Sequence, residues 1–285
     1  MYQAATPEWF DRMYNNRALV PGFATHLQQW AADSALARHQ WTCLTDLSYG
    51  AGLNETLDIF PAADAKAPVL VFLHGGYWRA LDKSDHSFIA PSFVKQGVCV
   101  VVPNYALCPA VTVPQIVLQM VKALVWVWRY ISEWGGDPAR IHVAGHSAGG
   151  HLAAMMMACQ WQRHAAELPQ DLVKSALSVS GLYELASVSR SPMLQSELRL
   201  DDAQILQCSP AWMPSPSHGH MLSVAGSLES AEFLRHNRLI RKAWGAQRVP
   251  VCQELHGLNH FSIVEALVNP DHRLHRMALE MCLAV

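Results

Sequence analysis

Charge is scarce in this chain, and neither sign dominates. Lys and Arg number 21 and Asp and Glu 23 among 285 residues, for a formal net charge of −2. That balance supplies no basic face for nucleic acid and no electrostatic attraction to an anionic membrane. No uninterrupted apolar run reaches about 18 residues, so no segment reads as a membrane span. The opening Met1-Tyr2-Gln3-Ala4-Ala5-Thr6-Pro7-Glu8 lacks the charged-then-apolar pattern of a secretory leader. Internal repeats and low-complexity stretches are missing too, which argues against a solenoid or a tail. The 7 cysteines are odd in number and scattered, several of them inside apolar runs. They read as reduced core thiols of a cytoplasmic, reducing compartment rather than as a disulfide framework.

What is present is apolar. A chain with 51% hydrophobic residues can bury a full core as a single domain over residues 1–285. Continuous apolar, β-branched runs recur at Val69–Leu73, Val98–Val102, Ile141–Ala144, Ala176–Ser180, Met221–Ala225 and Pro250–Leu255. Glu55–Phe60 alternates like an early edge strand. Runs of this kind, alternating with helical stretches, predict a mostly parallel sheet covered on both faces. Val117, Val121, Leu124, Trp128 and Ile131 fall at helical spacing, so a helix is expected from Pro114 to Trp134, ended by Gly135. Its tryptophans read as core. Residues 1–45 are expected to form a helical N-terminal arm. Residues 181–220, with Pro192, Pro210, Pro214 and Pro216, are too long for a plain connector and are expected to form a small cap.

Two glycine-rich turns carry the chemistry. Gly145-His146-Ser147-Ala148-Gly149-Gly150 follows a strand-like run and precedes the helix-like His151–Met157. A serine at the tip of a sharp strand-to-helix turn needs neighbours without bulk two positions to either side, and Gly145 and Gly149 supply that. Ser147 is therefore the candidate nucleophile, at a helix N-terminus that favours developing negative charge. His74-Gly75-Gly76-Tyr77-Trp78 directly follows the strand Val69–Leu73. Such a loop can aim backbone N–H groups at a carbonyl oxygen. Gly75, Gly76 and Tyr77, together with Ala148, form the expected oxyanion hole: the N–H groups come from Gly76, Tyr77 and Ala148, and Gly75 shapes the loop. His74 is expected to brace it.

A serine nucleophile needs a base and an acid, expected later in the chain in that fold context. His260 lies on the loop after the last strand and is the expected base, with His256 read as a partly buried strand-end residue. The loop after Met221–Ala225 offers Glu229, and the next helix carries Glu232 in its first turn, where acids stabilise helices in any case. Glu229 is the expected acid. His218-Gly219-His220 would place two imidazoles on one strand face, but no further ligand is evident nearby and a serine mechanism needs no metal. No metal and no cofactor are expected.

On these residues the chain resembles the arylformamidase (kynurenine formamidase) branch of the α/β-hydrolases, within the wider esterase/lipase group. His74-Gly75-Gly76-Tyr77-Trp78 matches that branch's HGGxW loop, and Asn104-Tyr105-Ala106-Leu107-Cys108-Pro109 its N-Y-x-L-x-P stretch. Gly145 to Leu152 matches its elbow, Glu229-Ser230-Ala231-Glu232-Phe233 is similar to its acid-S-P-E-F segment, and Asn259-His260-Phe261 to its histidine loop. Two departures stand out: the acid is Glu rather than the more usual Asp, and Ala231 replaces a common Pro. The resemblance implies an α/β-hydrolase fold and hydrolysis of N-formyl-L-kynurenine to formate and L-kynurenine.

In this reading Tyr77 and Trp78 flank the aryl group of a small-molecule substrate. A carboxylesterase for small acyl esters and a non-enzymatic binding protein of the same fold are the competing readings. The sequence leaves a homodimer open.

Overall fold

A computed structural model of the chain describes residues 5–284. Eight strands form one sheet: β1 Leu44–Ser48, β2 Thr56–Phe60, β3 Ala67–Leu73, β4 Cys99–Pro103, β5 Gly136–His146, β6 Val173–Val179, β7 His220–Gly226 and β8 Val251–Leu255. Their order is β1-β2-β4-β3-β5-β6-β7-β8. The β1–β2 and β2–β4 pairs are antiparallel and all the others parallel.

The apolar runs explain the middle of the sheet. Every residue of β3 and β4 is buried. Successive side chains of β3 then divide between the two faces, as strand geometry requires. Val69, Val71 and Leu73 join one core, with the helices Val113–Tyr130 and Ala148–Met157. Leu70 and Phe72 join the other, packed by residues of Phe23–Gln40, Ser262–Val268 and Arg273–Leu283. Helix Val113–Tyr130 starts where the Gln115 side chain accepts the Thr112 N–H at 2.7 Å. It continues as a tighter turn over Ile131–Trp134 and stops at Gly135 in the left-handed region, φ 80°. The sequence gives no sign of β1, whose residues are half-buried or exposed and lack the apolar alternation of a paired strand.

Two segments sit over the carboxyl end of the sheet. The first is helical: Pro7–Tyr14, Asn16–Leu19 and Phe23–Gln40. The second lies between β6 and β7 and holds the short helices Leu185–Val188, Pro192–Leu198 and Asp202–Gln207. They clasp each other. Asp11 accepts from the Ser191 hydroxyl and, at 3.0 Å, from the Met193 N–H. The Tyr14 hydroxyl lies 2.7 Å from the Ser187 hydroxyl and donates to Glu232 at 3.0 Å.

Four of the seven cysteines are buried, and each of the seven carries a free thiol. Among the described residues no helix is long and apolar enough to cross a membrane, and no group of three or more His, Cys, Asp or Glu side chains is placed to hold a metal ion.

Histidines are unusually deep in this fold. Burial pushes His74, His86, His142 and His151 each down to about 4, because the charged imidazolium has no water there. In the unfolded chain each returns to about 6.5. Between those values the unfolded chain binds more protons than the folded one, so stability falls as pH drops through that window. We expect the melting temperature to be flat above about pH 6.5 and to fall steeply from there toward pH 4. Calorimetry at pH 5 in buffers of different ionisation enthalpy should record net proton uptake on unfolding; its absence would contradict the neutral-histidine assignment.

Candidate active site

The site is built where β3 and β5 end side by side. Leu73 pairs with Gly145 in parallel register, so the loop after β3 and the turn after β5 leave the sheet at one level. Ser147 sits at that turn with φ 57° and ψ −117°, a conformation L-residues rarely take. Its N–H donates to the Val179 carbonyl at 2.8 Å, which fixes the turn against β6. A Cβ on Gly149 would stand 1.9 Å from the Leu73 carbonyl oxygen, and one on Gly145 2.1 Å from the Gly149 carbonyl oxygen. Glycine is therefore the residue that fits at either place. The helix Ala148–Met157 is buried along its whole length. Ala148 is its first residue, so its N–H has no partner within the helix.

The loop after β3 is equally constrained. Gly76 has φ 103°, and a Cβ there would meet the Ala80 carbonyl oxygen at 2.0 Å. Tyr77 and Trp78 follow at φ 51° and 57°, two consecutive side-chain-bearing residues in the left-handed region. Such strain persists only where the surroundings impose it. Three groups of contacts do so here. His74 is fully buried, its Nε2 3.2 Å from the Asn104 side-chain oxygen and its ring stacked on Tyr105 at 4.1 Å. The Tyr77 hydroxyl donates to the Tyr14 carbonyl at 2.7 Å and accepts from the Asn16 side chain at 3.2 Å. Cys108 N–H donates to the Trp78 carbonyl at 2.8 Å. The Gly76 and Tyr77 N–H groups donate to no backbone carbonyl among the described residues.

The carboxylate and the imidazole come from the far side of the sheet. His260 Nδ1 lies 2.7 Å from Glu229 Oε2, and the two side chains are 6% and 0% exposed. The other oxygen, Oε1, accepts the Ser180 hydroxyl and the Gly226 N–H, both at 2.6 Å. With three donors the buried carboxylate is held in one orientation. The His260 ring is gripped between Phe233 and His146, with both centroids at 4.6 Å. Burial holds the His146 imidazole well below its ordinary value, so this neighbour is uncharged. Glu232 instead meets Arg235 and the Tyr14 hydroxyl, deep in the seam between arm and core. His256 is exposed rather than partly buried.

Ser147, His260, Gly76 and Tyr77 line a single cavity of about 280 Å³. Trp78 does not reach it. The indole is fully buried and meets the His151 ring edge-on at 5.0 Å, inside the core. The left-handed backbone at Trp78 turns the side chain inward, which the spacing of the motif does not reveal. The aromatic walls come instead from Tyr14, Trp30, Tyr77 and Phe261. Trp30 and Tyr14 belong to the N-terminal arm, and Met193 and Glu197 reach the cavity from the segment before β7. None of these four stands in a motif, and no local signal in the sequence marks them.

Comparison with known proteins places the chain. Residues 57–194 match the BD-FAE family model. A kynurenine formamidase of Salmo salar is 28% identical over 98% of this chain and 94% of its own length. A Mycobacterium tuberculosis esterase, LipQ, is 36% identical, but over 39% of this chain and 28% of its own. Among solved structures, one from Silicibacter sp. TM1040, described provisionally as a thioesterase, superposes with a TM-score of 0.82 at 29% identity, covering 93% of this chain and 97% of that one. Fold and likeness together make this protein an α/β-hydrolase, and a hydrolytic enzyme. Within that class it is arylformamidase-like.

Because Trp78 is core, its loss should act on stability. Trp78→Ala is expected to cost about 3–5 kcal/mol, a fall in melting temperature of roughly 6–20 °C. Aryl and alkyl substrates should be affected alike in the folded fraction. A variant of wild-type stability with a changed substrate preference would place the ring in the site after all.

Proposed function

We propose that this enzyme hydrolyses aryl formamides, N-formyl-L-kynurenine foremost, to the free arylamine and formate, with Ser147 as nucleophile, His260 as base and acid, and Glu229 as the acid that orients His260. The observation that carries the reading is the buried Glu229–His260 pair at the wall of the small cavity that Ser147 also lines. The near-full-length likeness to a kynurenine formamidase supplies the substrate class.

The geometry suits the chemistry step by step. Glu229, itself held by Ser180 and Gly226, keeps the proton of His260 on Nδ1, which leaves Nε2 free to accept. Nε2 takes the Ser147 hydroxyl proton as Oγ bonds to the formyl carbon, and the carbonyl electrons move onto oxygen. The N–H groups of Gly76, Tyr77 and Ala148 receive that oxyanion, each worth about 3 kcal/mol in the transition state. His260 passes its proton to the leaving nitrogen, and the C–N bond breaks. Water then attacks the formyl-enzyme, giving its proton to His260, and formate leaves as Ser147 recovers its own. Throughout, Glu229 balances the imidazolium charge.

A formyl group needs almost no acyl space, and a cavity of about 280 Å³ lies at the low end of small-molecule sites. The aromatic walls suit a flat leaving group. A small-ester carboxylesterase would use the same machinery, and the LipQ likeness favours it as the second reading.

Ser147→Ala should lower turnover by roughly 10³-fold or more without a change in fold. A variant that keeps a tenth of the activity would remove Ser147 from the role. Glu229→Gln should depress kcat with little change in KM, since the charge acts mainly once His260 is protonated. The substrate is decided by comparing kcat/KM for N-formylkynurenine with that for long-chain p-nitrophenyl esters. The formamide should win by at least about tenfold; the opposite order would favour the esterase.

A further inference from the structure

One ion pair in the cavity has no place in the mechanism. Arg79, three residues beyond Gly76, donates through Nη1 to the Met193 carbonyl at 3.1 Å and to Glu197 Oε1. Both side chains line the same cavity as Ser147 and His260. Arg79 uses Nη1 alone for these bonds. Its Nε and Nη2, and Oε2 of Glu197, take no hydrogen bond among the described residues. The pair thus keeps two unused donors on the guanidinium and one unused acceptor on the carboxylate, side by side.

As a structural tie between the oxyanion loop and helix Pro192–Leu198, such a pair contributes little. Its members are 21% and 43% exposed, and ion pairs that water reaches are worth about 0–1 kcal/mol. As a recognition element its shape is specific. A planar guanidinium edge accepts a carboxylate through two parallel N–H bonds. A free carboxylate oxygen accepts from an ammonium group. An α-amino acid carries both ions on one carbon. A ligand with one charge would satisfy one half of the pair and leave the other as it was. Arg17, held with its guanidinium 5.6 Å from the Phe23 ring centroid, lines the cavity as well. Two guanidinium groups against one Glu197 carboxylate add a net pull on a substrate bearing a carboxylate.

We propose that Arg79 and Glu197 form a zwitterion subsite, which binds the α-carboxylate and α-ammonium groups of an amino-acid substrate while its aryl formamide lies at Ser147. The inference rests on the aryl-formamide reading above and adds the part of the substrate remote from the reacting bond. Binding at this distance from the reacting carbon is felt equally in the ground and transition states, so it should appear in KM.

The test is a ratio. For wild type, Arg79→Met, Arg79→Lys and Glu197→Gln, kcat/KM is measured for N-formyl-L-kynurenine and for 2-acetylformanilide, which keeps the formamide and the aryl ketone and lacks the amino-acid head. Damage to the oxyanion loop lowers both values and cancels in the ratio. Wild type should favour N-formylkynurenine. Arg79→Met should lower the ratio at least about tenfold, mainly through KM, with Arg79→Lys between the two because a point charge replaces the fork. Glu197→Gln should lower it by a smaller factor. Inhibition by L-kynurenine should weaken in parallel, and this readout does not depend on turnover. A ratio that stays within twofold of wild type in Arg79→Met, with N-formylkynurenine still hydrolysed, overturns the subsite and leaves the formamidase reading standing. Failure of wild type to hydrolyse either formamide, while short esters are cleaved, overturns that reading and the subsite with it.

Discussion

The contact of Gly149 with the end of β3 is the constraint on which this site depends. Backbone stands where a methyl group would be: a Cβ on Gly149 would lie 1.9 Å from the Leu73 carbonyl oxygen. That closeness lets helix Ala148–Met157 start directly against the sheet. It forces the sharp turn at Ser147, and it brings the loop after β3 alongside, where Gly75 faces the Ser147 Cβ at 3.2 Å from its own missing Cβ. Gly76, Tyr77 and Ser147 line one cavity because these two backbones leave the sheet together. A methyl group at residue 149 would push the Ser147 turn and the loop apart together. Ser147, Tyr77 and Trp78 take left-handed φ angles beside this contact, and buried bonds hold the loop after β3 in place.

Glu229 and Glu232 show how environment, not residue type alone, sets what a carboxylate meets. Glu229 and Glu232 are three residues apart in one sequence. The first turns to Ser180, Gly226 and His260, the second to Arg235 and Tyr14. Glutamate at residue 229 has one more methylene than the usual aspartate. The Ser180 and Gly226 donors anchor one of its oxygens, so the other still meets His260 at 2.7 Å. The longer side chain is accommodated by how it is held.

Much of this was legible in the sequence, and for a local reason. The elbow and the His-Gly-Gly loop announce themselves because close backbone approach demands glycine at fixed spacing, and the buried strands because both faces of a central parallel strand must be apolar. The helix from Val113 was legible through its periodicity and its Gly135 stop. What escaped was set by contacts between distant segments. Trp78 reads as a wall of the site from its motif, but its left-handed backbone sends the ring into the core toward His151. The residues that do wall the cavity, Tyr14, Trp30 and Glu197 among them, sit on helices whose sequences carry no mark of what they will face. Strand β1 is an exposed edge, so it lacks the burial pattern that reveals the others.

The roof of the cavity is separated from its anchors by most of the chain. Tyr14 bonds to Glu232 and His236, and His26 to Glu265, pairs 218, 222 and 239 residues apart. The eight-residue helix Pro7–Tyr14 is too short to hold its shape alone in water. During synthesis these contacts must therefore wait until nearly the whole sheet exists, although Phe23–Gln40 already meets Phe88 and Ser87 on the connection before β4. Closing such long loops carries the greatest entropy cost and comes after local and neighbouring contacts have formed. The sheet, the Ser147 turn and the Glu229 loop can thus be assembled before Tyr14 takes its place in the cavity wall. The wall that Tyr14 gives the cavity is thus fixed by contacts that close across most of the chain, and local opening of Pro7–Tyr14 would open the cavity that Ser147 lines.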